Sequence, residues 1–330
     1  MQKVHFIIGA DLSKKTIDLF FHQRKTHICI ANEKTGFKQL LTWINQQDIK
    51  VPELLIVMEH TGLYSLMFEK FLQQCDIRFT KVSGLAIKRS VGLVRGKSDK
   101  LDARRIADYA NEKKEKLQPA PIVSEQLQRL QMLYATRERL VKHKAALLSA
   151  VKEYLNIGLT KKDIVVHSQM KLIQNFEKQI TALQQAIAET MSTNEALQQN
   201  FKLLQTIKGV GKVLALATII KTRNFNSFTN ARKFACYCGT APFENTSGTS
   251  IRGKTKVSHL ADKRMKTLLD LAAKSAIQYD KELREYYLRR TSEGKPKMST
   301  INIVRNKILY RMFAVVKRQT PFLENFTLAA

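Results

Sequence analysis

The first eighty residues carry their apolar positions in short runs. Val4 to Asp11 reads as an apolar strand that ends on a carboxylate, Lys14 to Phe21 as a second strand, and His27 to Ile30 as a third. Phe37, Leu40, Leu41 and Ile44 then recur at helical spacing between Gly36 and Gln46. Leu54 to Glu59 is another buried strand closed by an acid. Thr61-Gly62 turns the chain into a helix over Leu63 to Gln74, and Ile77 to Val82 returns as a strand. The run from Leu101 to Ala110 is helical again. Three strands, then helix, strand, helix, strand and helix predict an α/β domain over residues 1–120.

Beyond residue 120 the pattern lengthens. Ser124 to Leu155 and Ser168 to about Gln199 read as long helices, and Ile173, Phe176, Ile180, Leu183 and Ile187 keep a 3-4 spacing, a heptad seam. Asn156, Gly158 and Thr160 break the two, which predicts a coiled-coil arm over 121–200 that packs on itself or on another protomer. A third, mostly helical segment, 201–330, opens with Leu203 to Ala217. Its Gly209-Val-Gly211-Lys212 resembles a helix-hairpin-helix element, whose turn either presents N–H groups to a phosphate or simply caps a helix. Ala272 to Arg290 and Thr300 to Gln319 are basic amphipathic patterns, with eleven Lys/Arg against three Glu between Lys281 and Arg318. Tyr279, Tyr286, Tyr287 and Tyr310 either stack on unpaired bases or belong to a core.

Charge sharpens this picture. The net charge is +28 over 330 residues, yet residues 1–80 hold ten Lys/Arg against eight Asp/Glu. The excess lies in the rest of the chain, as expected of a compact core followed by elements that lie along nucleic acid. No apolar run reaches membrane-spanning length, and Met1 is followed by polar residues rather than a signal peptide. Cys29, Cys75, Cys236 and Cys238 form neither a disulfide framework nor a zinc pattern, so a reduced, cytoplasmic protein is expected.

Four acids carry the candidate chemistry. Asp11 and Glu59 close two apolar strands, where a carboxylate needs a partner, and Asp99 and Asp102 open the helix that follows Val82. The last two stand one turn apart among Arg95, Lys97, Lys100, Arg104 and Arg105. Carboxylates for hard cations within basic surroundings suit metal-dependent phosphodiester chemistry. The alternatives are a salt-bridged surface helix, a turn capped by Asp11 and a Glu59–Lys pair.

Ile8-Gly-Ala-Asp11-Leu-Ser-Lys-Lys-Thr, Met58-Glu59-His60-Thr61-Gly62 and Lys97-Ser-Asp99-Lys-Leu-Asp102-Ala-Arg resemble the three motifs of the DEDD transposases of the IS110 insertion-sequence family. His60 stands where that family has a small residue. Cys238-Gly239-Thr-Ala-Pro242 followed by Ser247-Gly248-Thr-Ser250-Ile-Arg252-Gly253-Lys254-Thr-Lys256 resembles the family's C-terminal serine signature, while Leu260 to Lys266 departs from its later element. The resemblance implies an RNase H-like, RuvC-like first domain in which Asp11, Glu59, Asp99 and Asp102 hold one or two Mg²⁺, with Mn²⁺ as a substitute. It implies a nucleophilic Ser247, with Ser250 as the fallback, and phosphate contacts from Arg252, Lys254 and Lys256. It further implies double-stranded donor and target DNA, a structured bridge RNA as guide, and dimers that pair into tetramers. The expected function is recombination through a covalent 5′-phosphoserine. The rivals are a metal-dependent junction nuclease and a non-catalytic nucleic-acid-binding protein.

Overall fold

The structure is a computed structural model and describes residues 4–47, 49–62, 64–92, 96, 98–121, 123–228, 230–247 and 251–323. Its contacts divide into two units, Met1–Ile122 and Val123–Ala330. Each is described by itself.

The first unit is built on strands β1 (Phe6–Leu12), β2 (Thr16–Phe21), β3 (Thr26–Ala31), β4 (Leu54–Glu59) and β5 (Arg78–Val82), in the sheet order β3-β2-β1-β4-β5. β1, β2 and β3 pair antiparallel as a meander, whereas β4 joins β1 in parallel and β5 joins β4 in parallel. The parallel pairings need crossovers. Helix α1 (Lys34–Gln46) and a single 3-10 turn precede β4, and α2 (Leu66–Gln74) precedes β5. α3 (Gly84–Ser90) and α4 (Asp99–Lys113) follow.

Helices cover both faces, which is why β1 and β4 read as almost unbroken apolar runs. Ile8, Ala10, Ile17, Leu19, Ile56 and Met58 pack with Phe37, Leu40, Phe68 and Leu72 of α1 and α2. Ile7, Leu55 and Val57 point the other way, to Ile87 of α3 and Ile106 and Ala110 of α4. Asp11 shares the parity of Ile7 and Glu59 that of Val57, so both acids face the side that α3 and α4 cover. Ser98 caps α4 by accepting from the Leu101 N–H, leaving both aspartates in the first helical turn.

The second unit begins with α5 (Glu125–Asn156) and α6 (Ile164–Ser192), which run antiparallel. Val151 meets Val166 and Ile173 near the hairpin end, the His143 and Phe176 rings stack at 6.4 Å, and Lys144 reaches Glu177 at 3.3 Å. The heptad seam therefore packs within the chain: Ile173, Ile180 and Ile187 are buried. Asp163 caps α6 through the Val165 N–H, so this helix starts earlier than expected, at Ile164. It also stops at Ser192, because Asn194 caps a separate α7 (Glu195–Gln205) through the Leu197 N–H.

α8 (Lys212–Thr222), α9 (Ala231–Tyr237), α10 (Lys263–Tyr279), α11 (Lys281–Ser292) and α12 (Lys297–Arg318) complete this unit around a core that includes Leu204, Ile219, Phe234, Leu269, Val304 and Met312. The pattern expected as one helix through Arg290 is two. Asp280, 3% exposed, has extended backbone, caps α11 through the Leu283 N–H and binds Arg311 at 2.6 Å. The segment that carries the serine signature pairs as antiparallel strands, β6 (Pro242–Ser247) with β7 (Ile251–Val257). Among the described residues no helix is long and apolar enough to cross a membrane.

Candidate active site

Asp11 and Glu59 end neighbouring strands, and β1–β4 register pairs Ala10 with Met58 one step before them. α4 lies across β1 with almost no separation. A methyl placed on Gly9 would overlap the Ala103 carbonyl oxygen and stand 2.5 Å from the Ala107 nitrogen. Small residues on both sides, Gly9 below and the fully buried Ala103 and Ala107 above, let the helix descend until its first turn flanks Asp11. Asp11 answers electrostatically. Burial first, then the charges of Asp102, Asp99, Asp18 and Glu59, push its carboxyl up to about 6.

Asp18 is an acid that sequence reasoning passed over. It is 7% exposed, stands directly opposite Asp11 in the β1–β2 ladder, and is held by His27 Nε2 at 2.7 Å. Its signal was a charged residue inside the apolar run Thr16–Phe21. Asp102 takes a direct cationic contact from Arg105 at 2.7 Å. Arg105 also donates to the Gly96 carbonyl at 2.9 Å and is thus turned inward. Arg104 is exposed, stacks over Phe20 at 5.9 Å and stands 3.6 Å from Asp108. Arg95 and Lys97 lie outside the described residues.

The donor set is all oxygen and its negative charge is poorly compensated, which suits a hard divalent cation. Among the described residues no three donors stand close enough to grip an ion directly. Mg²⁺ keeps several of its waters and uses one or two carboxylates, so this spacing still fits it. Glu59 has its own cradle: a methyl on Gly84, the first residue of α3, would overlap its carboxylate. The displaced group is the end of a flexible side chain, and alanine favours a helix over glycine by up to about 1 kcal/mol. Gly84→Ala is therefore expected to leave the thermal midpoint unchanged or slightly raised while weakening Mn²⁺ binding about tenfold. Calorimetric titration beside a melting curve checks both halves.

In the second unit Ser247 ends β6, with its backbone paired to Ile251. The side chains of Ser247, Arg252 and Lys254, and all of Gly248 and Ser250, lie outside the described residues. Lys256 is exposed on β7, opposite Phe243. The roots of this hairpin are well held. Asn302 and Asn306 of α12 donate to the Thr240 carbonyl at 2.8 and 2.9 Å. At the other root Asp262 accepts from Tyr237 at 2.9 Å and pairs with Lys221 at 2.8 Å.

The two glycines of the helix-hairpin-helix-like segment divide their roles. Gly209, at φ +90°, packs against the Ala272 carbonyl and Ala276 of α10, so it is a close-packing position. Gly211 faces open space and precedes α8 without a side-chain cap, beside Lys212. Tyr279 and Tyr310 are 69% and 51% exposed, whereas Tyr286 and Tyr287 pack on the core and Tyr286 lies under Lys307 at 4.8 Å.

Two family profiles match the chain in succession. A DEDD transposase profile spans residues 8–158, and one described as "Transposase IS116/IS110/IS902 family" spans 201–288. Together with the acids on one sheet face, they make this a transposase of the DEDD class, a DNA-processing enzyme of a kind that uses a divalent metal. The two matches, in order along the chain, support an IS110-family DEDD transposase. It is 27% identical over 326 residues to a "Pilin gene-inverting protein" of Moraxella bovis, covering 96% of this chain and 97% of that one, and equally to its namesake in Moraxella lacunata. A "Probable family 20 transposase" of Pseudomonas aeruginosa is 21% identical, covering 96% of this chain and 98% of that one.

Proposed function

We propose that this transposase excises and integrates its insertion sequence by strand transfer through a covalent phosphoserine. The observation that carries the reading is the position of Asp11, flanked by Glu59 on β4 and by the first turn of α4, with its carboxyl raised to about 6 by burial first and then by the neighbouring carboxylates. The meander followed by two parallel strands supports an RNase H-like, RuvC-like first domain. In this reading Asp11, Glu59, Asp99 and Asp102 hold one or two Mg²⁺. Bound there, the ion supplies charge stabilisation at the scissile phosphate and acidity to groups beside it.

Ser247 acts from the second unit. Its Oγ bonds to phosphorus, the bond from phosphorus to the 3′ oxygen breaks, and the serine proton ends on that oxygen as a free 3′-OH. Attack by another strand's 3′-OH reverses the step and returns the proton to serine. A covalent link conserves the phosphodiester energy that hydrolysis releases, which suits recombination. Relatives named for inverting a gene support a DNA-rearranging role. The charge of +28 exceeds what one short DNA site needs and supports a bridge RNA as second nucleic acid. Exposed apolar side chains at the far end of the helical arm, Ile157 and Ile164 at 75% and 76%, support assembly of protomers there. The organisation proposed is a catalytic domain at 1–120, an arm at 121–200 and a serine domain at 201–330, in a cytoplasmic, nucleoid-associated protein.

The test is covalent capture. With Mg²⁺, RNA transcribed from the element's flank and labelled donor DNA, a denaturation-resistant protein–DNA adduct is expected, lost in Ser247→Ala and in Asp102→Ala. An adduct that survives Ser247→Ala moves the nucleophile to Ser250. Clean cleavage without an adduct replaces the recombinase with a junction nuclease.

A further inference from the structure

Alongside α4, on the β2 side, the first unit has a cleft of about 420 Å³ lined by Phe20, Lys25, Lys100, Leu101 and Arg104. Three of its five lining residues are cationic and none is acidic. Phe20 forms a buried apolar floor against Ala103 and Ala107, and the Arg104 guanidinium lies over its ring. Lys25 and Lys100 are exposed and form no ion pair among the described residues. Lys25 occupies the β2–β3 turn at φ +55°, a left-handed conformation that glycine or asparagine adopts more easily. Lys100 adjoins Asp99 in sequence, and both the cleft and the acids lie on the α4 side of the sheet.

We infer that this cleft is a binding site for DNA, taking the nucleotide next to the phosphate that the acid site positions. Lys25 and Lys100 neutralise its backbone phosphate, while the exposed Arg104, placed over the Phe20 ring, offers its guanidinium to a base. The volume suits one nucleotide rather than a duplex. DNA is the strand assigned here because α4 carries both the cleft and two of the acids that act on the cut strand. The inference therefore rests on the catalytic reading above.

The test uses the full chain and a fluorescein-labelled random-sequence DNA duplex, with Ca²⁺ in place of Mg²⁺, read by anisotropy across a salt series. Lys25→Ala and Lys100→Ala are each expected to weaken binding about 3–10-fold and to lower the salt slope by about one. Lys25→Arg should restore affinity, Mn²⁺ titration should be unchanged, and Lys34→Ala on α1, across the sheet, should match wild type. Wild-type affinity and slope in both alanine variants, with cleavage intact, would overturn the cleft and leave the catalytic reading standing. An effect confined to a labelled RNA hairpin would overturn the assignment to DNA. A wild-type protein that neither binds the duplex nor cuts DNA would remove the catalytic reading and this inference with it.

Discussion

Asp11→Asn is expected to reduce DNA cleavage by about a thousandfold or more and to abolish saturable Mn²⁺ binding, yet to raise the melting temperature of the metal-free protein. The gain in stability follows from the sign of the Asp11 shift. Its carboxyl rises from 3.8 to about 6, so the folded state holds the proton more tightly than the unfolded chain does. Above pH 6 the native state keeps a charge that burial and four other carboxylates oppose. As pH falls through 6 towards 3.8 the group protonates in the fold and this penalty is relieved. A two-unit shift corresponds to about 3 kcal/mol, reduced to about 1–2 kcal/mol for a partly exposed group, or a few degrees. Asparagine removes the charge at every pH, so its stabilisation should be full at pH 7.5 and vanish near pH 4. The cation moves the other way, because it must displace the proton: affinity should fall about tenfold per unit below pH 6. A destabilised Asp11→Asn would mean that the carboxylate is a structural partner and would remove the observation on which the function rests.

The legible and hidden parts of this site differ for physical reasons. Asp11 and Glu59 stood out because strands covered on both faces are apolar along their length, so a terminal acid has no solvent-side explanation. The first-turn aspartates of α4 were legible through helical spacing. Asp18 should have been read by the same logic, but it sits mid-strand, where its cross-strand neighbours Asp11 and Cys29 are set by register that sequence does not print. Arg105 stood in the sequence as one of five cations around the two aspartates. Only the helix geometry turns it three residues back onto Asp102. The β6–β7 hairpin was hidden because its glycines, serines and lysines have weak strand preference, and the contacts that hold its root come from Asn302 and Asn306, some sixty residues on. Gly84 and Gly9 were hidden more deeply, since what a missing side chain makes room for exists only in the folded chain.

Gly9→Ala carries the second large expectation. The overlaps are with the Ala103 carbonyl and the Ala107 nitrogen, both backbone atoms inside α4, so no side-chain rotation relieves them. The helix must lift from β1 or the strand must bend. Overpacking of this kind costs about 1–3 kcal/mol, and rigid neighbours on both sides place this case at the upper end. Lifting α4 also carries Asp99 and Asp102 away from Asp11, so Mn²⁺ affinity should fall tenfold or more in the molecules that remain folded. Ile8→Ala separates the two effects. Ile8 is fully buried in the cluster on the opposite face, and its truncation costs a comparable or larger 2–5 kcal/mol without touching α4. Measured at a temperature where both variants are native by circular dichroism, Ile8→Ala should bind Mn²⁺ as wild type does and Gly9→Ala should not. The raised Asp11 carboxyl should relax towards 3.8 with it, because two of the charges that hold it up lie on the helix that has moved. Equal Mn²⁺ affinity in the two variants would mean that the approach of α4 sets the stability of this sheet and not the geometry of its acids.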